Sequence, residues 1–164
     1  MKNPDKLLIA IVVGAVLLIL VAVVVVLIKP TPTYQSEDTP GGVAHNYLLA
    51  LQNEDYDRAY TYLSSTLPGY PATVSQFTES IEDYSWYFRL GTDTTLAVDT
   101  EEITGSKAVI LVRETRFQNR GLFESSTRIS TFEMDLEKVE NQWKIVDSDR
   151  YFVWCWGNES GCRY

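Results

Sequence analysis

Residues 7–28 read LLIAIVVGAVLLILVAVVVVLI, 22 positions without a charged, polar or proline side chain. At about 1.5 Å per residue such a helix is about 33 Å long, enough for a bilayer core of about 30 Å. The sequence therefore predicts a single N-terminal transmembrane helix over 7–28 and a cell-membrane location. A secretory leader carries a shorter apolar region, about 7–15 residues, and small residues at its cleavage site. Here the run leads into Lys29-Pro30-Thr31-Pro32 instead; cleavage is the competing reading. Lys2 and Lys6 precede the run and Lys29 alone follows it closely. Positive flanks stay inside, so residues 1–6 are expected to form a cytoplasmic tail and the C-terminal domain to lie outside.

From Tyr34 onward the chain has 11 Lys or Arg against 21 Asp or Glu, near −10. That balance argues against nucleic acid as a partner, because binding it needs clustered cations. Residues 29–42, KPTPTYQSEDTPGG, read as a Pro/Gly-rich linker, since prolines hold such a segment extended. About 120 residues remain, the size of one domain.

Helical periodicity comes first. Thr39-Pro40 pairs a capping side chain with proline at the first helical position. Val43, Ala44, Tyr47, Leu48 and Leu51 then share one face. His45, the only histidine, falls off that stripe and reads as a solvated helix residue. Asp55 can cap a short second helix that turns Ala59, Tyr60 and Leu63 inward. Thr73-Val74-Ser75-Gln76 has the form of a capping box and opens a third. From Thr94 the period changes to two: Leu96 and Val98, then Ala108, Ile110 and Val112, then Phe132, Met134 and Leu136, then Trp143 and Ile145. Turn chemistry at 104–106, 119–121 and 140–141 separates these runs into antiparallel hairpins. Helices before strands give an α+β class.

The stretches YLLALQNEDYDRAY (47–60) and LEKVENQWKIV (136–146) resemble the nuclear transport factor 2-like superfamily, particularly its small extracytoplasmic members of unknown function. The resemblance covers about residues 43–152. It implies a cone in which three helices pack on a curved antiparallel sheet and a pocket opens at the wide end, placing an α+β domain at 43–153. Asn141 stands where the family has a turn glycine, and asparagine tolerates positive φ. The tail from Tyr151 to Tyr164 is outside the pattern.

Cys155 and Cys162 flank WGNESG, whose two glycines allow a tight turn. They are expected to form a disulfide closing a loop over 154–164, the alternative being two free thiols. No histidine stands near to complete a metal site, and no metal or other cofactor is expected. Asn158-Glu159-Ser160 matches a glycosylation triplet.

For chemistry the candidate acids are Asp83, Asp99, Glu114 and Glu133, none of which matches a catalytic motif of the family. Glu133 and Asp135 fall opposite the Phe132/Met134/Leu136 face and read as solvated. Arg113-Glu114-Thr115-Arg116 reads as charge alternation on a sheet surface. No phosphate loop, zinc spacing or nucleophile elbow is present, so the chain is not expected to be an enzyme. Tyr84, Trp86, Tyr87 and Phe88 either wall a pocket or plug the cone, and the run 151–156, with Trp154 and Trp156, is either a strand extension packing on the cone or an exposed patch that meets a partner. The leading expectation is a tethered, non-enzymatic domain that contacts another envelope or cell-surface protein. The second is a binder of a small hydrophobic ligand, and the third an isomerase- or hydrolase-like enzyme.

Overall fold

The computed structural model describes residues 4–28, 32–88, 90–91, 93–119, 125–158 and 160–162. The chain separates into two compact units, Met1–Pro32 and Thr33–Tyr164. The first holds helix α1, Pro4–Ile28. The single-pass anchor expected over 7–28 is corrected here: among the described residues no helix is long and apolar enough to cross a membrane. The cell-membrane location and the inside-to-outside orientation rested on that span and fall with it.

In the second unit α2 (Pro40–Gln52), α3 (Tyr56–Thr61) and α4 (Val74–Asp83) precede four strands. These are β1 (Thr94–Thr104), β2 (Lys107–Asn119), β3 (Ser125–Val139) and β4 (Gln142–Ser148). The α+β class and the antiparallel hairpins are as expected; the sheet runs β1-β2-β3-β4, each strand pairing with its neighbour in sequence.

Local chemistry explains the helix starts. Thr39 Oγ1 accepts from the Gly42 N–H (3.1 Å), Asp55 Oδ1 from Arg58 (3.3 Å) and Thr73 Oγ1 from Gln76 (3.2 Å), so each start has a side-chain acceptor for an otherwise orphaned amide. The Gln76 side chain closes its box one residue early, accepting from Ala72 N (2.9 Å) rather than from the cap itself. Glu101 of β1 accepts from Gly41 N (2.9 Å), an anion at the positive end of α2.

The hairpin turns follow from residues that tolerate φ > 0. Gly105 (φ 64°) joins β1 to β2; Glu140 (φ 51°) and Asn141 (φ 66°) join β3 to β4. The turn expected at 119–121 falls between β2 and β3, and residues 120 and 121 lie outside the described residues.

One face of the sheet carries Ala108, Ile110, Val112, Phe132, Met134, Leu136 and Ile145, all buried against Val43, Tyr47, Leu48, Ala59, Leu63 and Phe77 of the helical layer. The free side of β4 is covered: Ser64 N donates to Ile145 O and Ile145 N to Tyr62 O, both at 2.9 Å. β1 is the other margin, interrupted by a bulge between Val98 and Thr100 and rich in acidic residues.

Residues 34–37 of the Pro/Gly-rich stretch are tied to this unit. Asn46, fully buried, accepts from Gln35 N (2.7 Å) and donates to Gln35 O (2.9 Å), which pins the segment as a paired strand would. The Arg58 guanidinium lies 3.4 Å over the Tyr34 ring, and Tyr62 donates to Glu37 (2.7 Å).

At the other end, Cys155 and Cys162 are joined by a disulfide with Cα atoms 5.1 Å apart. Residues 154–157 form a 3₁₀ turn, not a strand extension. Gly69 docks on it: its N–H donates to Trp156 O (2.9 Å), and a Cβ there would strike the Cys155 carbonyl. The bridge spans seven residues of sequence separation. Cys162→Ser is therefore expected to cost about 2–3 kcal/mol through the looser unfolded chain. Urea denaturation of the oxidised protein against the variant measures it, and an unchanged midpoint rules this out.

Candidate functional site

The inward period of β2 continues past the apolar core. After Ala108, Ile110 and Val112 the next positions on that face are Glu114 and Arg116. On β3 the same face runs from Leu136, Met134 and Phe132 to Ser130 and Arg128. Register places Glu114 opposite Ser130 and Arg116 opposite Arg128. The end of the sheet beyond the core is thus walled by charge rather than hydrocarbon.

Glu114 is the buried charged residue among the described residues, with its side chain 1 % exposed. Arg116 Nε donates to its Oε1, and Arg150 Nη1 donates to its Oε2 at 2.5 Å and to Ser130 Oγ at 3.1 Å. Both guanidiniums remain partly exposed, 42 % and 38 %. Burial alone would push the Glu114 carboxyl up; the hydrogen bonds from Arg150 and Arg116 outweigh it and hold the group below the usual carboxylate range.

Tyr151 completes the wall. Its side chain is fully buried, yet its backbone has φ 58°, a left-handed conformation costly for a bulky residue. Tyr47 holds that turn in place by donating its own buried hydroxyl to Tyr151 O (2.6 Å). The Tyr151 ring meets Phe132 edge-on, centroids 5.6 Å apart. Its hydroxyl stands against the Arg116 guanidinium and the Glu114 carboxylate. Burial first, and then the Glu114 charge, raise its pKa above that of free tyrosine.

These residues, with Trp86, Tyr87, Gln118 and Asp149, surround a cavity of about 340 Å³. A neighbouring cavity of about 340 Å³ lies between Tyr87, Phe152, Trp154 and Asp147, sharing Tyr87 and Asp149 with the first. A third, about 380 Å³ beside Tyr62, Trp143 and Lys138, is lined by no buried charged side chain.

The aromatic candidates divide between the two roles. Trp86 (61 % exposed) and Tyr87, ring centroids 3.4 Å apart, line the cavity with Glu114. Trp154, 58 % exposed, lines the neighbouring one. Trp156 is fully buried, stacked on Phe77 at 5.3 Å, with Phe88 tilted against it at 6.3 Å. Tyr84 is half-buried against the same core.

Of the four candidate acids, Glu114 alone lines the cavity, which Asp149 borders as well. Asp83 ends α4 in solvent, Asp99 pairs with Arg113, and Glu133 and Asp135 face outward. His45 Nε2 lies 3.1 Å from Thr33 O. Among the described residues no three His, Cys, Asp or Glu side chains converge as metal ligands. The reading of 113–116 as charge alternation on a sheet surface is corrected at Glu114, which is buried. Carrying the 108/110/112 alternation one step further would have placed it inward. Arg150 and Tyr151 come from the segment after β4, where no periodic signal extends.

No family model and no curated protein matches the chain. Solved structures do. A SEC-C motif containing protein from Rhodopseudomonas palustris aligns over 70 % of this chain and 80 % of its own, at 11 % identity and a TM-score of 0.47. A protein from the NTF2-like family of Streptomyces avermitilis aligns over 69 % and 95 %, at 10 % identity and a TM-score of 0.44.

Proposed function

We propose that the Thr33–Tyr164 unit is a non-enzymatic, small-molecule-binding domain of the nuclear transport factor 2-like kind, with its ligand site in the cavity at Glu114. Support for the family comes from the residues that resemble it: 47–60 spans the α2–α3 break and 136–146 the β3–β4 hairpin, with Asn141 at positive φ in the turn. The observation that carries the binding reading is the buried Glu114 carboxylate beside an open cavity of about 340 Å³. Ligand pockets start at about 300 Å³ and combine ring surfaces with a few fixed polar groups. A sheet that served only as scaffold would be as stable, or more so, with apolar residues there, since burying ions costs several kcal/mol each before pairing offsets it.

The charged wall favours a polar ligand over the purely hydrophobic one that the aromatic runs suggest. Catalysis is disfavoured by the same pairing. A carboxylate held below its usual range by two guanidiniums is a weak base and has no proton to give at neutral pH.

The purified chain should bind members of a panel of small aromatic acids, amides and amines saturably. Binding at one hundred times Kd adds about 2.7 kcal/mol of apparent stability, which thermal unfolding detects. Trp86→Ala, at an exposed site, should weaken that binding without altering the unliganded melting temperature. Failure of every panel member to shift melting, or full binding by Trp86→Ala, would refute this site.

A further inference from the structure

We propose that the groove between Tyr87, Phe152 and Trp154 receives the quaternary ammonium head of a small soluble cation, held between ring faces and the Asp147 and Asp149 carboxylates. This is a second site, beside the cavity at Glu114 and independent of what that cavity binds.

The exposed rings mark the place. Trp143 and Trp156 are buried, whereas Trp154 stands 58 % exposed. It borders a groove of about 340 Å³ together with Tyr87 and Phe152. A large ring left in water is the informative exception to burial, the more so where other rings share its cavity. The rings are also held in advance. Phe152 is buried with its edge on Trp156 at 5.1 Å, and Trp154 opens the 3₁₀ turn that the Cys155–Cys162 bridge closes. A preformed site loses little freedom on binding.

Charge narrows the occupant. Asp147 and Asp149 border the groove, and among the described residues no lysine or arginine does. Each has one oxygen engaged by a main-chain amide: Asp147 Oδ1 accepts from Ser148 N (2.8 Å) and Asp149 Oδ2 from Glu133 N (3.1 Å). Neither joins an ion pair among the described residues. Register sets Asp147 directly opposite Asp135, and like charges so placed repel. The Asp135 carboxyl is accordingly pushed up, by burial first and then by the charges of Asp147 and Asp149, although Lys107 opposes them. Arg116, Arg128 and Arg150 line the other cavity, where Glu114 engages two of them.

Ring faces attract a cation, tryptophan most strongly, and two carboxylates add to that field. Methyl groups in place of N–H let the charge rest on the rings without leaving a donor unpaired. A quaternary ammonium therefore fits the groove better than a primary one.

Isothermal titration of the full chain with choline and with 3,3-dimethylbutan-1-ol, its uncharged carbon isostere, tests the assignment. Wild type should bind choline at least about tenfold more tightly, the scale of a partly desolvated cation over rings. Trp154→Ala should lose about tenfold for choline and Trp154→Phe less, since a phenyl face is the weaker cation partner. Asp147→Asn should reduce the preference for choline over the isostere. Both positions are exposed, so these variants should melt close to wild type. Phosphocholine carries the same head beside a phosphate, as a lipid does. It should bind more weakly than choline, because the two aspartates repel the phosphate; equal affinity would overturn the free-cation assignment. Absence of choline binding, equal binding of the isostere, or undiminished choline binding by both Trp154→Ala and Asp147→Asn overturns the site. Choline binding lost in Trp86→Ala but kept in Trp154→Ala puts the cation in the cavity at Glu114 and overturns this groove alone.

Discussion

Trp156→Ala is expected to destabilise the domain by about 3–5 kcal/mol, the range for truncating a large buried aromatic. The indole is fully buried and touches rings on three sides. It stacks on Phe77 of α4 at 5.3 Å, receives the edge of Phe152 at 5.1 Å, and lies 6.3 Å from Phe88. No single element can collapse into the space it leaves, because α4, the 84–88 segment and the C-terminal turn all pack on it. Domains of this size hold about 5–15 kcal/mol in total, so the loss approaches the threshold for folding at all. The indole N–H has no partner among the described residues, so Trp156→Phe gives up less than its lost volume suggests, about 1–2 kcal/mol. Urea melts followed by far-ultraviolet circular dichroism separate the two variants. An alanine variant within 1 kcal/mol of wild type would mean that the indole is not a core side chain.

The second large effect concerns charge. Replacing both Arg116 and Arg150 with methionine strands Glu114 as an unpaired buried carboxylate, at an expected cost of about 3–5 kcal/mol at pH 7. The pH dependence should also reverse. In the wild type the folded Glu114 carboxyl sits below its usual range, so its contribution is present above the unfolded pKa and is lost as pH falls through the folded one. In the double variant only burial acts on it, and burial raises the folded pKa. Stability should then be greatest in acid and fall as pH rises through that raised value. Glu114→Gln should flatten both profiles. Equilibrium unfolding from pH 3 to 8 measures all three proteins; a double variant that still gains stability toward neutrality would show that Glu114 is not the buried group argued here.

Much of the domain was legible in the sequence because its signals are local. Thr39, Asp55 and Thr73 announce helix starts through their own side chains, and each caps an amide in the fold. Asn141 reads as a turn residue because it tolerates positive φ, and it adopts φ 66°. Alternation at Ala108, Ile110 and Val112 reports a buried face, and all three are buried. The site was less legible because it is assembled from segments distant in sequence. Glu114 looked like one member of an exposed charged run, since composition there outweighs period. Its second arginine and Tyr151 arrive from beyond β4, and nothing in Asp149-Arg150-Tyr151 foretells a left-handed tyrosine. Trp154 and Trp156, two residues apart, part company because a 3₁₀ turn sends one to solvent and the other inward. The apolar run near the start misled in the opposite way: hydropathy was read as an address, and among the described residues no helix is long and apolar enough to cross a membrane.

The margins of the sheet are protected by unequal means. Main-chain bonding from Tyr62 and Ser64 seals β4, whereas β1 is guarded by its bulge and by carboxylates such as Asp99 and Glu102. Charges on a bare margin act as gatekeepers against a foreign strand. Were those two residues exchanged for valine or isoleucine, the native fold would survive while its rim became a template. Such a chain would fail by seeding fibrils from intact molecules rather than by melting.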